Sequence, residues 1–152
     1  MNLLPIGSEA PDFSAPDQDG RIIRLSDFRG KKVILYFYPK DDTPGCTKEA
    51  CNLRDHYEEL TAAGYVILGV SADDVPSHKR FAQKYNLPFS LLADPEKTII
   101  KAYGAWGVKK MYGKEYEGIQ RITYIIDEAG RVADVITEVK VEDHAAQILQ
   151  RQ

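Results

Sequence analysis

Two short apolar runs, residues 33–38 and 65–70, stand out from the polar background of this chain, each six residues long. Neither alternates as a half-exposed strand does, and continuous apolar runs of this length suit strands covered on both faces. Between them Ala50, Leu53, Tyr57 and Leu60 recur at helical spacing, Pro44 stands at the front, and Gly64 falls where a helix C′ residue belongs. The spacing predicts one helix over 44–64. Residues 33–71 then form a strand, helix and strand with a parallel pairing and a right-handed crossover.

Asp19-Gly20 lies just before the extended stretch 21–25, which predicts an N-terminal β-hairpin, and Ser26-Asp27 caps a short turn ending at Gly30. Downstream, Phe81 and Tyr85 sit four apart in a helix over 76–85, a short strand covers 89–92, and Asp94-Pro95-Glu96 opens a helix through Tyr103-Gly104. Residues 105–118 hold three glycines and scattered charge and read as a long loop. Residues 120–126 alternate as a strand, with Arg121, Thr123 and Ile125 on one face and Ile122, Tyr124 and Ile126 on the other. Glu128-Ala129-Gly130 turns the chain into a strand over 132–137, and a helix over 141–150 ends it. The order predicts an α/β three-layer sandwich around a mixed sheet, with a hairpin near each end.

Length and composition narrow this further. With 152 residues, 43% apolar and 28% charged, the chain suits one globular domain over residues 1–152. Runs of six apolar residues fall far short of the roughly 20 needed to span a bilayer. Residues 1–9 carry no basic leader or long apolar stretch, so we expect no membrane partner and a cytoplasmic location. A formal net charge of −3 argues against a nucleic-acid partner. The densest basic group, Lys109, Lys110 and Lys114, is followed at once by Glu115 and Glu117 and reads as a solvated loop.

Both cysteines fall in the helix predicted after residue 43. Cys46 lies in its first turn, where unpaired N–H groups and the helix dipole favour an anion by roughly 0.3–2 kcal/mol. Cys51 follows five residues later. In a regular helix that offset separates the Cα atoms by about 8.6 Å, beyond the reach of a disulfide, so any bond between them requires the helix to unwind between about residues 46 and 55. Glu49 stands where a Cys-x-x-Cys pair would need its second cysteine, and Asn52 where a Cys-x5-Arg loop would need arginine. Two cysteines and the scattered His56, His78 and His144 do not make a structural zinc set. Each histidine sits among charged residues in a predicted helix and reads as a solvated surface residue, although one of them could in principle serve a Cys–His hydrolase.

What remains is attack by a thiolate on an electrophile such as a peroxide O–O bond, which needs donors for the departing oxygen. The Thr43 hydroxyl, the N–H groups of Gly45 and Cys46, and Arg121 could supply them. Pro39 and Pro44 stiffen the loop. A redox-responsive binding module, switched by a Cys46–Cys51 bond, is the alternative at this point.

The pattern Pro39-x-x-x-Thr43-x-x-Cys46 resembles the active-site motif of peroxiredoxins, and Cys46-x4-Cys51 resembles the subgroup called peroxiredoxin Q or bacterioferritin comigratory protein. Further similarity runs from Ala10-Pro11-Asp12-Phe13 through Gly104-Ala105-Trp106-Gly107 and Gly118-Ile119-Gln120-Arg121 to Ile126-Asp127. The resemblance implies a thioredoxin-like fold and a thiol peroxidase acting on hydrogen peroxide and organic hydroperoxides without metal or organic cofactor. It implies Cys46 as the peroxidatic cysteine, Thr43 and Arg121 as the residues that bind and activate peroxide, Glu49 as the residue orienting the arginine, and Cys51 as the resolving cysteine. It also implies recycling of the disulfide by thioredoxin or a similar dithiol protein, and a monomer, with a homodimer as alternative. Trp106 reads as a packing residue or a border of the site.

Overall fold

The computed structural model describes residues 2–151. Five strands form the central sheet in the order β5-β4-β3-β8-β9. The two apolar runs are its middle: β3 (Lys32–Phe37) pairs in parallel with β4 (Tyr65–Ser71), and β4 pairs in parallel with β5 (Ser90–Ala93). On the other side of β3, β8 (Ile122–Ile126) runs antiparallel, and β9 (Val132–Ile136) closes a hairpin on it. β1 (Ser14–Pro16) and β2 (Ile22–Arg24) make the expected N-terminal hairpin, and a 3₁₀ turn follows at Leu25–Phe28. Gln18, at the hairpin tip, covers the outer edge of β5: its Nε2 donates to Phe89 O at 3.0 Å and its Oε1 accepts from Leu91 N–H at 2.8 Å. A side-chain amide thus occupies an edge that could otherwise pair with another strand.

Two cores lie on the two faces of the sheet, which gives the three layers. On one face Val33, Leu35, Phe37, Ile122, Tyr124 and Ile126 pack with Ile99, Ile100 and Tyr103. On the other, Ile34, Tyr36, Tyr38 and Ile125 pack under α1 (Pro44–Asp55), α2 (Tyr57–Ala62), α3 (Val75–Tyr85) and α5 (His144–Leu149). Alternation along β3 and β8 deals successive side chains to opposite faces. Among the described residues no helix is long and apolar enough to cross a membrane.

The structure departs from the sequence expectations in four places. The helix expected over 44–64 is two helices, because His56 leaves helical geometry at φ −111°, ψ 18° and places its Nδ1 2.9 Å from Asn52 O. The helix expected from Asp94 is short: α4 covers Thr98–Ala102, and the Asp94 carboxylate accepts from Thr98 N–H and Ile100 N–H instead of joining it. Residues 105–118 are not a loop. β6 (Trp106–Met111) and β7 (Lys114–Ile119) form an antiparallel hairpin whose turn places Tyr112 at φ 52° and Gly113 at φ 76°. Two positive φ values suit the twist of a tight hairpin, and the ribbon escapes pattern reading because most of its side chains face water. Finally, His78 and His144 are not surface residues; both are fully buried. His78 shares a helix face with Phe81 and Tyr85 at three- and seven-residue spacing, a core signal that the flanking charges mask.

Gly69 on β4 is a point of close approach: a Cβ there would lie 2.8 Å from Tyr36 Cζ, 2.9 Å from its hydroxyl and 3.0 Å from Leu91 Cδ2. Tyr36 is itself fully buried and has no room to yield. Gly69→Ala is therefore expected to cost about 1–3 kcal/mol, read as a fall in Tm of roughly 3–10 °C by circular dichroism. An unchanged Tm would show that the sheet gives way at this point.

Candidate active site

β3 ends at Phe37 and the chain crosses to α1 through a loop pinned from below. Tyr38 hydroxyl donates to Asp41 Oδ1 at 2.6 Å, Ser77 hydroxyl donates to Asp41 Oδ2 at 2.8 Å, and His78 Nδ1 lies 2.7 Å from the same oxygen. His78 Nε2 faces Leu92 O at 3.0 Å and must donate to it, since a carbonyl only accepts. Asp41 N–H donates to Asp73 Oδ2 at 2.8 Å. Asp42, at φ 57°, is held outside by Lys84 and Tyr85. These contacts fix where α1 begins.

Thr43 is the N-cap, but its side chain caps nothing; the hydroxyl donates to Lys40 O at 2.8 Å. Pro44 has no N–H, and the first regular helical bond is Thr47 N–H to Thr43 O at 2.8 Å. The N–H groups of Gly45 and Cys46 thus point out of the helix start with no acceptor in the preceding turn. Cys46 is buried there at 2% exposure. Pro39 is half-buried at the start of the loop.

Arg121 reaches this point from the residue before β8, on the sheet face read from the alternation. Its Nη2 donates to Cys46 Sγ at 3.3 Å and its Nη1 to Glu49 Oε1 at 2.7 Å. Gly45 makes room: a Cβ would lie 3.2 Å from Arg121 Nη2. Burial works against the charge of Arg121, but Glu49 and Cys46 outweigh it and hold the guanidinium firmly protonated. Glu49 is completely buried, and burial lifts its carboxyl to about 7 even though Arg121 pulls it down. The structure therefore joins Cys46, Gly45, Glu49 and Arg121. It does not join Cys51, a half-buried free thiol further along intact α1, whose pKa burial raises.

Three neighbours escaped the sequence reading. Tyr36, buried on β3 beneath the site, is kept protonated by burial and by the nearby Glu49 and Cys46. Lys109, assigned to a solvated loop, is half-buried on β6; its Nζ donates to Ile119 O at 2.9 Å and its stem crosses Gly118. Burial and then Arg121 lower its pKa, while Cys46 opposes both. His144 of α5 places Nε2 2.8 Å from Thr123 Oγ1 and 3.7 Å from Glu49 Oε2. Burial lowers its pKa to about 4, with Arg121 and Arg151 in the same sense and Gln147 opposing. Its one legible signal was the apolar spacing it shares with Ala145 and Ile148.

Known proteins resemble the chain over nearly its whole length. Residues 6–135 match the AhpC/TSA family. Peroxiredoxin Bcp of Bacillus subtilis is 48% identical over 147 residues, covering 97% of this chain and 94% of that protein. A solved mutant of PrxQ from Xylella fastidiosa has a TM-score of 0.92 at 30% identity, covering 99% of this chain and 96% of that one. The bacterioferritin comigratory protein of Xanthomonas campestris, studied for alkyl peroxide reduction, has a TM-score of 0.88 at 35% identity over 96% of each chain. The chain belongs to the AhpC/TSA family and is a peroxiredoxin, a thiol peroxidase that reduces peroxide with a cysteine. Its mixed sheet and N-terminal hairpin are the thioredoxin-like fold that the resemblance implied.

The buried pair Glu49 and His144 yields a prediction on pH. Glu49 titrates above its unfolded value of 4.5, so its contribution to stability is present in acid and lost as pH rises toward about 7. His144 titrates below its unfolded value of 6.5, so its contribution is present above that pH and lost as pH falls toward about 4. Across the shared window folding moves one proton from imidazole to carboxyl, and the two dependences oppose. Relative to wild type, Glu49→Gln is expected to lose stability toward acid and His144→Gln toward alkali, each by on the order of 2 kcal/mol across the window in urea melts. Parallel curves for all three proteins would refute this.

Proposed function

We propose that Cys46 is the attacking thiolate and Cys51 the resolving thiol of this peroxidase. The observation that carries the reading is the Arg121 Nη2 to Cys46 Sγ hydrogen bond of 3.3 Å at a helix start whose N–H groups are unpaired. A cation and two backbone donors there face the attacking sulfur and receive the charge that moves onto peroxide oxygen. The Thr43 hydroxyl spends its proton on Lys40 O, so its lone pairs accept the hydroperoxide proton and turn the distal oxygen toward sulfur. Attack breaks the O–O bond, transfers OH to sulfur as a sulfenic acid, and releases an alkoxide or hydroxide that takes a proton from water. Glu49 orients Arg121 throughout.

The Cys51 thiol then loses its proton as its sulfur attacks the sulfenic sulfur, the S–O bond breaks, the departing hydroxide takes up a proton and leaves as water, and the resulting disulfide is reduced by exchange with a dithiol protein such as thioredoxin. Because about 8.6 Å separates the two Cα positions on an intact helix, residues 46 to about 55 unwind for this step. Hydrogen peroxide and organic hydroperoxides are the proposed substrates, in line with the alkyl peroxide activity of the Xanthomonas campestris protein. The chain acts as one domain over 1–152, whose two end residues lie outside the described ones, and as a monomer, since a resolver in the same helix needs no second chain. A cycle that starts from two thiols suits a compartment that keeps thiols reduced, and the cytoplasm is the location proposed.

Cys46→Ser is expected to abolish peroxide consumption in a thioredoxin-coupled assay, and wild-type rates would end the reading. Cys51→Ser should consume about one equivalent and stop, whereas Arg121→Gln should slow Cys46 oxidation by about 10²–10³-fold. Amide exchange over 46–55 is expected to be faster in the oxidised protein. Full turnover in Cys51→Ser, or equal protection in both redox forms, would remove Cys51 from the cycle.

A further inference from the structure

Asn52 stands next to Cys51 in the stretch of α1 that has to unwind before the two thiols meet, and both ends of its amide side chain are held by another part of the fold. Its Nδ2 donates to Glu142 O at 3.1 Å and its Oδ1 accepts from Ala145 N–H at 2.8 Å. Ala145 lies in the first turn of α5, whose own N-cap residue, Asp143, makes no side-chain capping bond. Asn52 therefore supplies, from 93 residues away, an acceptor that α5 lacks locally. On the main-chain side, Asn52 O accepts from His56 N–H at 3.2 Å and lies 2.9 Å from His56 Nδ1. Residue 52 is thus tied through its backbone to the end of α1 and through its side chain to the start of α5.

The other side-chain ties that leave this stretch differ in kind. Cys46 and Glu49 meet Arg121 at the site itself, where attack on peroxide precedes any unwinding. Arg54 Nη1 donates to Tyr85 O at 2.7 Å, but Arg54 lies beyond Cys51, and its long side chain can keep that bond while the backbone ahead of it shifts. The short side chain of asparagine cannot follow in this way. When residue 52 leaves the helix, both of its bonds to the start of α5 break together, and Ala145 N–H loses its acceptor.

We propose that Asn52 is a latch between α1 and α5 that sets how readily α1 opens, and so how the Cys46 sulfenic acid divides between two fates. The proposal rests on the reading of Cys51 as the resolving thiol. When α1 opens, the Cys51 sulfur displaces hydroxide from the sulfenic sulfur and the disulfide forms. While α1 stays closed, a second hydroperoxide oxidises the same sulfur: its O–O bond breaks, one oxygen passes to sulfur to give a sulfinic acid, and the remainder leaves as alcohol or water. A tighter latch keeps the site ordered for attack and leaves the sulfenic acid exposed to that second oxidation for longer. Opening also uncouples the start of α5 from α1, so α5 registers the redox state of two cysteines that it does not contain.

Amide exchange of the reduced protein tests the latch without peroxide. Asn52→Ala is expected to speed exchange over residues 46–55 and at Ala145 by roughly five- to thirtyfold, the effect of losing two hydrogen bonds, while exchange in the β6–β7 hairpin stays as it is. Unchanged exchange over 46–55 overturns the proposal. In the peroxide reaction the same variant should form the disulfide faster by a similar factor and, at a fixed excess of hydrogen peroxide, yield less sulfinic acid by mass spectrometry. Its first oxidation of Cys46 should stay within about twofold of wild type. A wild-type division between disulfide and sulfinic acid overturns the proposal as well. If Asn52→Ala does not fold, the wild-type chain decides: the Ala145 amide is expected to lose protection on oxidation, and equal protection in the two redox forms overturns the latch. A wild-type protein that forms no Cys46–Cys51 disulfide ends the reading of Cys51, a result distinct from unchanged exchange in the reduced variant, which ends the latch alone.

Discussion

Arg121 has to present a cation to a thiol that is almost wholly withdrawn from water, and the site is built around the difficulty of keeping it there. Its side chain is 23% exposed, and burial alone would weaken its charge. Two partners compensate: Glu49 at 2.7 Å and Cys46 at 3.3 Å. Both come from the first turns of α1, three residues apart on one helix face. The guanidinium therefore ties the strand that carries it to the helix start that carries the sulfur. Gly45 completes the arrangement by leaving out the atom that would press on Nη2.

The position of that helix start is determined below it. Asp41 collects Tyr38, Ser77 and His78 on one carboxylate, and Asp73 takes its N–H, so the end of β3, the start of α3 and the loop between β4 and α3 all bear on the turn before Thr43. Because Asp41, Tyr38 and His78 are buried, a lost partner would leave an unpaired polar group among them, and the loop has little freedom to drift. The region above is different in kind. The bonds from Cys46 to Asp55 are those of one helix, and the fold also attaches α5 to it through Asn52, which donates to Glu142 O and accepts from Ala145 N–H. A rigid base below a single helix suits the cycle proposed above, in which one thiol must be placed accurately and then carried to another.

Local pattern was sufficient where an element is simple. The strands 33–38 and 65–71, the helix after Pro44, the sheet face on which Arg121 lies just before β8, and the placement of Cys46 in the first turn of that helix all follow from spacing, because a residue period and a helix N-terminus are properties of neighbouring residues. The pattern failed where a partner distant in sequence decides. The 105–118 ribbon is exposed on most of its surface and so carries no apolar alternation, and Lys109 reads as one more surface charge until the hairpin closes over Gly118. His78 and His144 are flanked by charges, and only the fold reveals that each meets a carboxyl group and a carbonyl or hydroxyl in the interior.

The amino-acid sequence alone thus determined the order of the central strands and of the helices that cover them, the place of Cys46 in the first turn of α1 and the distance that keeps Cys51 from it on an intact helix, since these depend on chain geometry within a few residues. The tertiary structure decided which residues share the buried volume around Arg121, and hence the charge that each can bear. That outcome turns on desolvation, and how much water a group loses is known only when β3, β8, α1 and α5 are brought together.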